Sequence, residues 1–567
     1  MALYLFPEVD IQPAVNETDM TDNRWIQGIK RRGTMSENTE QQMSLDEARK
    51  LLRSLYGENK KITDDSYDKA LAVKCINGTF VGKKADNVIA YRGIPFVGSQ
   101  PIGDLRWKAP VDVIPDDGVY EAYYNAKSCY GNESLETGSL FYPSEECLYL
   151  NVWKADDKSE AKKPVMVWIH GGAYEAGGTV DPEFDCTSLL TENPDVIVVT
   201  VAYRLGIFGF FQLSQLPDGK DFPDAQNLGL LDQLKALKWV HENIAAFGGD
   251  PDNVTIWGES AGAGSVTLLP LLKGSQGYFN RVIAQSGSPA LSRSMDEAIV
   301  CTNEMMDILG CKTASDFLKV DAQKLFDASK AITLRMGPVR DGNWLPLEPW
   351  EAYADGAAKD IDFLLGCNKD EMNFFVVGFG VDNFIKWADG RIAGRLPQLS
   401  EDERAHVTGF MEDAKGEAYD SDSRVLSQIW FNSSCIRLSE EQTKAGGRVY
   451  TYYLTPEAAV PIMKCGHAIE LPVVFNHMDN ASDIGRAFDE NFTKIMRGMW
   501  IRFAKTGNPS LTADISPDGK AYEWPLYDHE DKKVMVLDEF DVHPEKESDR
   551  KIVDWERIYP LTKYYWF

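Results

Sequence analysis

The chain has 567 residues, and its 87 acidic side chains against 59 lysines and arginines give a formal net charge of −28 at pH 7. A surface this acidic repels phosphate groups, which argues against nucleic acid and anionic membranes as partners. Hydrophobic residues make up 44% of the chain, enough for a large buried core, and no apolar run approaches the ~18 residues of a membrane span.

The N-terminal part of the chain is polar and charged, and residues 1–70 are interpreted as a partly helical extension that lies on the main domain. Ser44 and Glu47 have the spacing of a capping box and predict the start of an amphipathic helix. The first residues have no basic segment, and Pro7 and Glu8 interrupt their short apolar stretch, which is not typical of a secretory signal. We therefore expect a cytoplasmic protein, or a secreted one if the N-terminus is incomplete.

From about residue 75, runs rich in β-branched and aromatic residues alternate with helical patterns, which predicts a mostly parallel sheet covered by helices. Three apolar runs predict buried strands, at 165–169, 196–201 and 254–257. Residues 230–247 have helical spacing and end at Gly248, a typical stop for a helix. No internal repeat is visible, so residues 71–567 are interpreted as one domain with insertions.

The strongest chemical motif is Gly258-Glu259-Ser260-Ala261-Gly262, between a predicted strand and a predicted helix. A serine on a sharp strand-to-helix turn is exposed at the carboxyl end of the sheet, as in a nucleophile elbow. Glycines flank it because a side chain there would collide with neighbouring backbone. The motif predicts Ser260 as a nucleophile.

A serine nucleophile needs a general base, and the base needs an acid that orients it. Of seven histidines, His467 has the favoured context, a loop preceded by glycine and well after Ser260 in the chain. His477 is the competitor by position, but it opens a polar loop. The acid should follow a strand between the serine and the histidine, and Asp370 and Glu371 both satisfy that condition.

The turn His170-Gly171-Gly172-Ala173 follows the first of the three predicted strands and has the form of an oxyanion-hole loop. Glycines there let backbone N–H groups approach the reacting oxygen of a tetrahedral intermediate. We expect Gly171, Gly172 and Ala261, the residue after the nucleophile, to form the hole. The two motifs together predict an acyl-transfer enzyme.

The chain resembles the type-B carboxylesterase/lipase family, which includes p-nitrobenzyl esterases and cholinesterases, from about residue 78 to the C-terminus. The segments that carry the resemblance are, in family order, Tyr91-Arg92-Gly93-Ile94-Pro95, Ser144-Glu145-Glu146-Cys147-Leu148-Tyr149-Leu150-Asn151, Tyr203-Arg204-Leu205-Gly206, Phe247-Gly248-Gly249-Asp250-Pro251 and Gln285-Ser286-Gly287-Ser288-Pro289. The family's G-x-N-x-x-E loop is similar to residues 366–371, which makes Glu371 the acid.

The resemblance implies further roles outside the triad. Ser286 matches a serine that supports the acid, and Glu259 belongs with it to the groups that surround the triad. Three pairs also match positions of the family. Exported members form disulfides where this chain has Cys129 with Cys147 and Cys301 with Cys311, and a structural ion pair corresponds to Arg106 with Glu145.

The resemblance implies an α/β-hydrolase fold, with a large mostly parallel sheet flanked by helices and a helical insertion at about 375–460 that lines a gorge. The expected function is hydrolysis of small carboxylic esters through an acyl-enzyme, with no metal and no cofactor. The stretch between Cys129 and Cys147 lacks the tryptophan of cholinesterases, so choline esters are not expected. The alternatives are a catalytically silent adhesion or binding homologue, or a lipase, thioesterase or amidase.

Overall fold

The computed structural model describes residues 56–132, 141–157, 159, 161–413, 416–478 and 484–546. These residues form strands that we number β1 to β17 in chain order: Lys61–Ile62, Ala72–Cys75, Gly78–Val81, Lys83–Ala85, Val88–Pro95, Val119–Glu121, Ser128–Cys129, Pro143–Ser144, Tyr149–Ala155, Lys163–Ile169, Ile197–Val201, Gly249–Glu259, Arg281–Gln285, Asp362–Asn368, Val449–Leu454, Lys533–Leu537 and Val542–Lys546.

The α-helices are numbered α1 to α15 in the same way: Thr187–Glu192, Gly206–Gly209, Leu228–Asn243, Ala261–Leu268, Met295–Leu309, Ala314–Leu318, Ala322–Ser329, Pro349–Ala354, Asn373–Phe379, Val381–Arg395, Glu401–Asp413, Asp420–Ser427, Ser433–Lys444, Leu471–Val474 and Glu490–Thr506. A π-helical turn, Gln428–Asn432, joins α12 to α13. Among the described residues, no helix is both long enough and apolar enough to cross a bilayer.

Eleven strands form one sheet in the order β17-β16-β15-β14-β13-β12-β10-β11-β9-β5-β4. Neighbouring strands from β11 to β16 run parallel, and the strands at both margins pair antiparallel. A smaller sheet, β1-β6-β3-β2, and the pair β7-β8 lie outside it. The architecture is a large, mostly parallel sheet with helices between successive strands.

The three predicted strands form the centre of this sheet. Residues 165–169 lie in β10, which pairs with β11 on one side and β12 on the other. Val165 and Val167 pack into one core cluster, whereas Met166 and Trp168 pack into another on the opposite face. Because both faces of β10 are buried, its sequence is continuously apolar rather than alternating.

The sheet also determines where functional side chains meet. Parallel strands β10, β12, β13, β14 and β15 end at the same edge. The turns that follow these ends carry His170, Ser260, Ser286, Glu371 and, further along the chain, His467. Ligands bind at the carboxyl ends of strands in open α/β sheets, so this edge is the candidate site.

A helical cover, which we define as residues 373–444, connects β14 to β15. It has its own core of buried aromatic and aliphatic side chains, and Cys367 and Met463 from outside the cover join that core. The cover therefore lies on the same edge of the sheet as the five turns. The boundaries at about 375–460, and that at about residue 70, stay predictions.

The N-terminal helix predicted at Ser44 lies outside the described residues. Asn59, near the end of this region, donates its Nδ2 hydrogens to the carbonyls of Arg92 and Tyr124, at 2.8 and 3.1 Å. Arg92 and Tyr124 belong to the main domain, so the end of the predicted extension packs against that domain.

Of the three residue pairs that the resemblance implies, two are formed in the structure and one is not. Cys129 and Cys147 are disulfide-bonded, whereas Cys301 and Cys311 are free and buried. The ion pair is present and bidentate: Arg106 Nε and Nη2 lie 2.5 and 2.6 Å from the two carboxylate oxygens of Glu145.

Candidate active site

Ser260 occupies the turn between β12 and α4, with φ 58° and ψ −123°. Non-glycine residues rarely adopt positive φ, and they do so at functional sites where the surroundings hold them. The Ser260 N–H donates to the carbonyl of Gln285 at 2.9 Å, and the Ser260 carbonyl accepts from Gly264 N at 2.9 Å. The neighbouring strand and the helix thus fix the strained turn.

The flanking glycines are required by close backbone contact. A Cβ at Gly258 would lie 2.7 Å from the carbonyl oxygen of Ile169, and a Cβ at Gly262 would overlap the same oxygen. The elbow therefore packs its backbone directly against the end of β10, where the glycine turn 170–178 begins.

His467 and Glu371 form the second part of the site. His467 Nδ1 lies 2.6 Å from Glu371 Oε2, and both side chains are almost completely buried. The backbone N–H of His467 also donates to the Glu371 carbonyl at 3.1 Å. Glu371 thus contacts Nδ1, and the other ring nitrogen, Nε2, stays available for proton transfer.

Two donors hold the other oxygen of Glu371. Ser286 Oγ donates to Oε1 at 2.6 Å, and the backbone N–H of Asn368 donates to the same oxygen at 2.7 Å. A carboxylate with three fixed partners keeps one orientation toward the imidazole. Asp370, the other sequence candidate, does not contact His467; its backbone N–H donates to the Cys465 carbonyl.

Glu259 contributes a second carboxylate to His467. Its Oε1 lies 3.0 Å from His467 Nε2, and its side chain is 1% exposed. Ser260 Oγ makes no hydrogen bond within the described part of the chain. The structure therefore brings both carboxylates to His467, and one of them belongs to the residue before Ser260; Nε2 lies within ion-pair distance of Glu259 without a hydrogen bond to it.

Burial and charge act in opposite directions on this cluster. Burial lowers the pKa of His467, but the carboxylates of Glu259 and Glu371 outweigh it and raise that pKa well above its ordinary value. Burial also raises the pKa of Glu259, although His467 opposes the rise. The imidazole and the Glu259 carboxylate therefore titrate as a coupled pair.

Glu470 is a buried acid that the sequence motif contains but to which we assigned no role. It accepts from Gln285 Nε2 at 3.0 Å and from Asn368 Nδ2 at 2.8 Å. Burial, with the charge of Glu259 nearby, raises its pKa to about 7. The sequence signal was an acid three residues after His467, which on its own is typical of a surface loop as well.

The glycine turn, defined as residues 170–178, lies against the nucleophile. A Cβ at Gly171 would be 3.1 Å from Ser260 Cβ, and Gly172 and Ala173 have φ of 108° and 56°. In the part of the chain that the structure describes, no backbone hydrogen bond uses the N–H groups of residues 171–173. The N–H groups of Gly171, Gly172 and Ala173 thus have no backbone acceptor there, and Ala173 was not among the residues expected to form an oxyanion hole.

The other histidines of this region have structural partners. His170 stacks on Tyr203 with ring centroids 4.5 Å apart and donates from Nδ1 to the Gly171 carbonyl at 2.8 Å. Burial lowers its pKa to about 4, so it is neutral near pH 7. His477, the alternative base, donates from Nε2 to the Asp185 carbonyl at 2.8 Å.

Aromatic rings of the helical cover surround His467 on its remaining side. The ring centroids of Phe431, Phe375 and Phe374 lie 4.7, 5.6 and 6.0 Å from that of His467. Phe431 belongs to the π-helical turn, a distortion that is frequent at functional sites. The space beside the imidazole is therefore bounded by apolar side chains. Among the described residues, no cluster of histidine, cysteine and acidic side chains is arranged to hold a metal.

Comparisons with known proteins identify the family of the chain. The model of a family described as the carboxylesterase family matches residues 69–551. The chain is 32% identical to the para-nitrobenzyl esterase of Bacillus subtilis over 85% of this chain and 97% of that protein. It is 31% identical to the fumonisin B1 esterase of Sphingopyxis macrogoltabida, over 80% and 84% of the two chains.

A solved structure of a carboxylesterase has the same fold. The crystal structure of a Geobacillus stearothermophilus carboxylesterase at pH 6.2 superimposes with a TM-score of 0.75 and 32% sequence identity, and the match covers 87% of this chain and 99% of that one. The similarity extends over nearly the whole of the neighbouring structure.

Proposed function

The chain belongs to the carboxylesterase family, has the α/β-hydrolase fold and hydrolyses carboxylic esters, and from this premise we propose that Ser260 is the nucleophile, His467 the general base and Glu371 the orienting acid. The observation that carries the proposal is the buried 2.6 Å contact between His467 Nδ1 and Glu371 Oε2, on the sheet edge that holds the strained Ser260.

The proposed reaction has two halves. In the first, His467 Nε2 takes the proton of Ser260 Oγ while Oγ attacks the ester carbonyl, and the imidazolium then protonates the departing alcohol. In the second, a water molecule loses a proton to Nε2 and attacks the acyl-serine, which releases the acid and restores Oγ–H. Glu371 fixes the tautomer and stabilises the imidazolium.

We propose that the histidine moves slightly before the first half. Nε2 lies 3.0 Å from Glu259 Oε1, and the ring would turn from this carboxylate toward Oγ before the proton moves. Catalytic hydrogen bonds that are absent without substrate often form only in the Michaelis complex. We propose that Glu259 holds the imidazole of the free enzyme and releases it when substrate enters.

The negative oxygen of the tetrahedral intermediate needs fixed donors, and we propose the N–H groups of Gly171, Gly172 and Ala261 for this role, with Ala173 as a further donor. Gly172 and Ala173 both have positive φ, 108° and 56°, so the backbone does not continue as an extended strand here. Removal of one such donor costs roughly 100- to 1000-fold in rate in other enzymes.

The aromatic side chains at His467 support uncharged esters as substrates. Three phenylalanine rings within 6.0 Å of the imidazole provide apolar contacts for an acyl or alcohol group. A charged group placed between them would lose hydration without gaining a partner. We propose small esters with alkyl or aromatic substituents as the substrate class.

The test is hydrolysis of p-nitrophenyl esters of increasing acyl length by the wild type and by Ser260→Ala. We expect the wild type to turn over short esters and the variant to lose at least about a thousandfold in kcat. A fluorophosphonate should label the wild type at Ser260 and leave the variant unlabelled. Undiminished hydrolysis by Ser260→Ala would refute the assignment, and so would labelling at another serine.

A further inference from the structure

Two consecutive non-glycine residues of the glycine turn, Ala173 and Tyr174, have left-handed backbone angles, with φ of 56° and 61°. Such residues return to ordinary backbone angles unless the surrounding structure holds them. Ala173 directly follows Gly172 in the turn that lies against Ser260, so any relaxation here would change the direction of the proposed oxyanion donors. The contacts that hold this turn therefore affect the reaction.

Glu175, the next residue, forms a side-chain contact that leaves the turn. Its Oε2 forms an ion pair with Arg335 Nη1, and its Oε1 accepts from the backbone N–H of Met336 at 3.2 Å. The side chains of Glu175 and Arg335 are 19% and 28% exposed, so the pair is partly shielded from water. One carboxylate thus joins the turn to a segment 160 residues later in the chain.

That later segment is itself anchored in the core. The buried Arg293 donates from Nε to the Arg335 carbonyl and from its backbone N–H to the Pro338 carbonyl, both at 2.7 Å. Asn227 exchanges two hydrogen bonds of 2.8 Å with the backbone of Val339. The segment is a fixed support rather than a mobile loop.

Backbone hydrogen bonds also hold the strained part: the N–H groups of Glu175 and Ala176 both donate to the Gly172 carbonyl at 2.9 Å. The Tyr174 carbonyl accepts from Gly206 N at 2.8 Å, and Asn132 exchanges two hydrogen bonds with Gly177. These contacts lie on either side of Glu175 in the sequence. Loss of the Glu175 side chain should therefore leave the turn folded through these backbone bonds and remove only its tie to Arg335 and Met336, so that the angles at Ala173 and Tyr174 are held less firmly.

We propose that Glu175 is a positioning residue, which through Arg335 and Met336 keeps the N–H groups of Gly172 and Ala173 directed at the reacting oxygen. The inference rests on the proposed function, since it assumes that these groups bind the oxyanion. Glu175 touches no reacting atom in this scheme and acts only through the backbone of the turn.

The chain offers a matched control for this arrangement. Glu539 accepts from Arg486 Nη2 and Nη1, at 2.6 and 2.8 Å, and from the backbone N–H of Asp489 at 2.7 Å. It is likewise a carboxylate held by one arginine and one backbone N–H. None of these three residues belongs to the glycine turn or the triad, so Glu539→Ala removes the same chemistry without touching the site.

The experiment compares Glu175→Ala, Arg335→Met, the double variant and Glu539→Ala, with Glu175→Gln as the conservative variant. For each we would measure kcat and KM on p-nitrophenyl butyrate, the melting temperature, and the inhibition constant of an alkyl trifluoromethyl ketone. The ketone forms a hemiketal on the serine, and its oxyanion requires the N–H groups of the turn.

We expect Glu175→Ala to lower kcat by about tenfold, less than loss of a whole donor, with KM within about twofold. The inhibition constant should rise by the same factor. The double variant should be no worse than the poorer single variant, because both remove one contact, and Glu175→Gln should retain intermediate activity. Glu539→Ala should lower only the melting temperature.

Equal loss of kcat in Glu175→Ala and Glu539→Ala would overturn the inference, as would an unchanged inhibition constant in Glu175→Ala. If the proposed function itself were wrong, the result would be distinguishable from this. The wild type would then neither bind the ketone nor react with a fluorophosphonate at Ser260. Labelling of Glu175→Ala at Ser260, slower but complete, shows that the triad is intact while the turn is not.

Discussion

Two regions of the molecule meet at the candidate site and are built in opposite ways. At the elbow, Gly258–Gly262, backbone packs against the backbone of β10 with no space for a Cβ at position 262. In the described part of the chain, the helical cover, residues 373–444, contacts the His467 ring through aromatic side chains. A contact between backbones cannot be exchanged without moving a strand, whereas a contact between side chains can. The elbow should therefore be invariant in its chemistry, and the cover free to change the substrate.

The largest effect is expected from Gly262→Ala, which tests the rigidity of the elbow. The new Cβ would overlap the Ile169 carbonyl oxygen and lie 3.0 Å from the His170 carbonyl carbon, so the elbow has to move. Since Ala261, a proposed oxyanion donor, is adjacent, we expect kcat/KM to fall about 100- to 1000-fold. Steady-state kinetics and fluorophosphonate labelling at Ser260 measure this.

The control for that variant is Gly390→Ala in α10 of the cover, where no atom lies within 4 Å of the new Cβ. Alanine in place of an exposed helical glycine should stabilise the protein by about 0.4–1 kcal/mol, with kcat/KM unchanged. Denaturant unfolding measures the difference. If Gly262→Ala kept more than a tenth of the wild-type kcat/KM, the elbow would not be the rigid region that we describe.

The same contrast explains what could be predicted from sequence. Family, fold class and ester hydrolysis were predicted and are confirmed, because strand runs and the elbow motif are local patterns with local steric causes. The three predicted central strands are present, with ends that differ by a few residues: residues 254–257 lie inside the longer β12, Gly249–Glu259. The catalytic roles of Ser260, Glu371 and His467 stay a prediction.

What could not be predicted depends on contacts between distant parts of the chain. The ion pair of Glu175 with Arg335 joins residues 160 positions apart, and the ring that lies 4.7 Å from His467, Phe431, belongs to a π-helical turn that no sequence pattern indicated. Glu259 was assigned to the surroundings of the triad, but its position at His467 Nε2 follows from how β12 and the His467 loop meet. No local pattern encodes these distances.

A smaller effect, on pH dependence, is expected from Glu259→Gln, which tests whether the elbow also controls the base. The reaction requires neutral His467, so kcat/KM rises as pH increases through the His467 pKa. Glu259 and Glu371 raise that pKa, and removal of one carboxylate charge should lower it by roughly one unit. The acidic limb of the kcat/KM profile should therefore move to lower pH.

A pH series on one p-nitrophenyl ester measures this shift. The control is Glu539→Gln, which removes a carboxylate that contacts Arg486 instead of the imidazole. It should leave the pH profile unchanged. If the acidic limb did not move in Glu259→Gln, Glu259 would be protonated across the measured range, since burial raises its pKa. The proposed release of the histidine by Glu259 would then be wrong.

The smallest effect is expected from Phe431→Leu in the cover, and it concerns selectivity. Phe431 is 3% exposed and its ring centroid lies 4.7 Å from that of His467, so the smaller leucine opens space directly beside the base. We expect the ratio of kcat/KM for octanoate to that for acetate esters to increase by roughly tenfold or less, since about one or two methylenes gain room.

Phe379→Leu is the matched variant within the same cover. Phe379 is 1% exposed and contacts Phe375 and Trp387 rather than His467, with centroids 6.2 and 5.4 Å apart. It should lose stability through its cavity without a change in the chain-length ratio. If both variants changed the ratio equally, selectivity would arise from the packing of the whole cover and not from the rings at His467. The contrast between the invariant elbow and the replaceable helical cover would then apply to the catalytic residues alone. Substrate selectivity would instead depend on the packing of the whole cover, which would resist single substitutions as strongly as the sheet does.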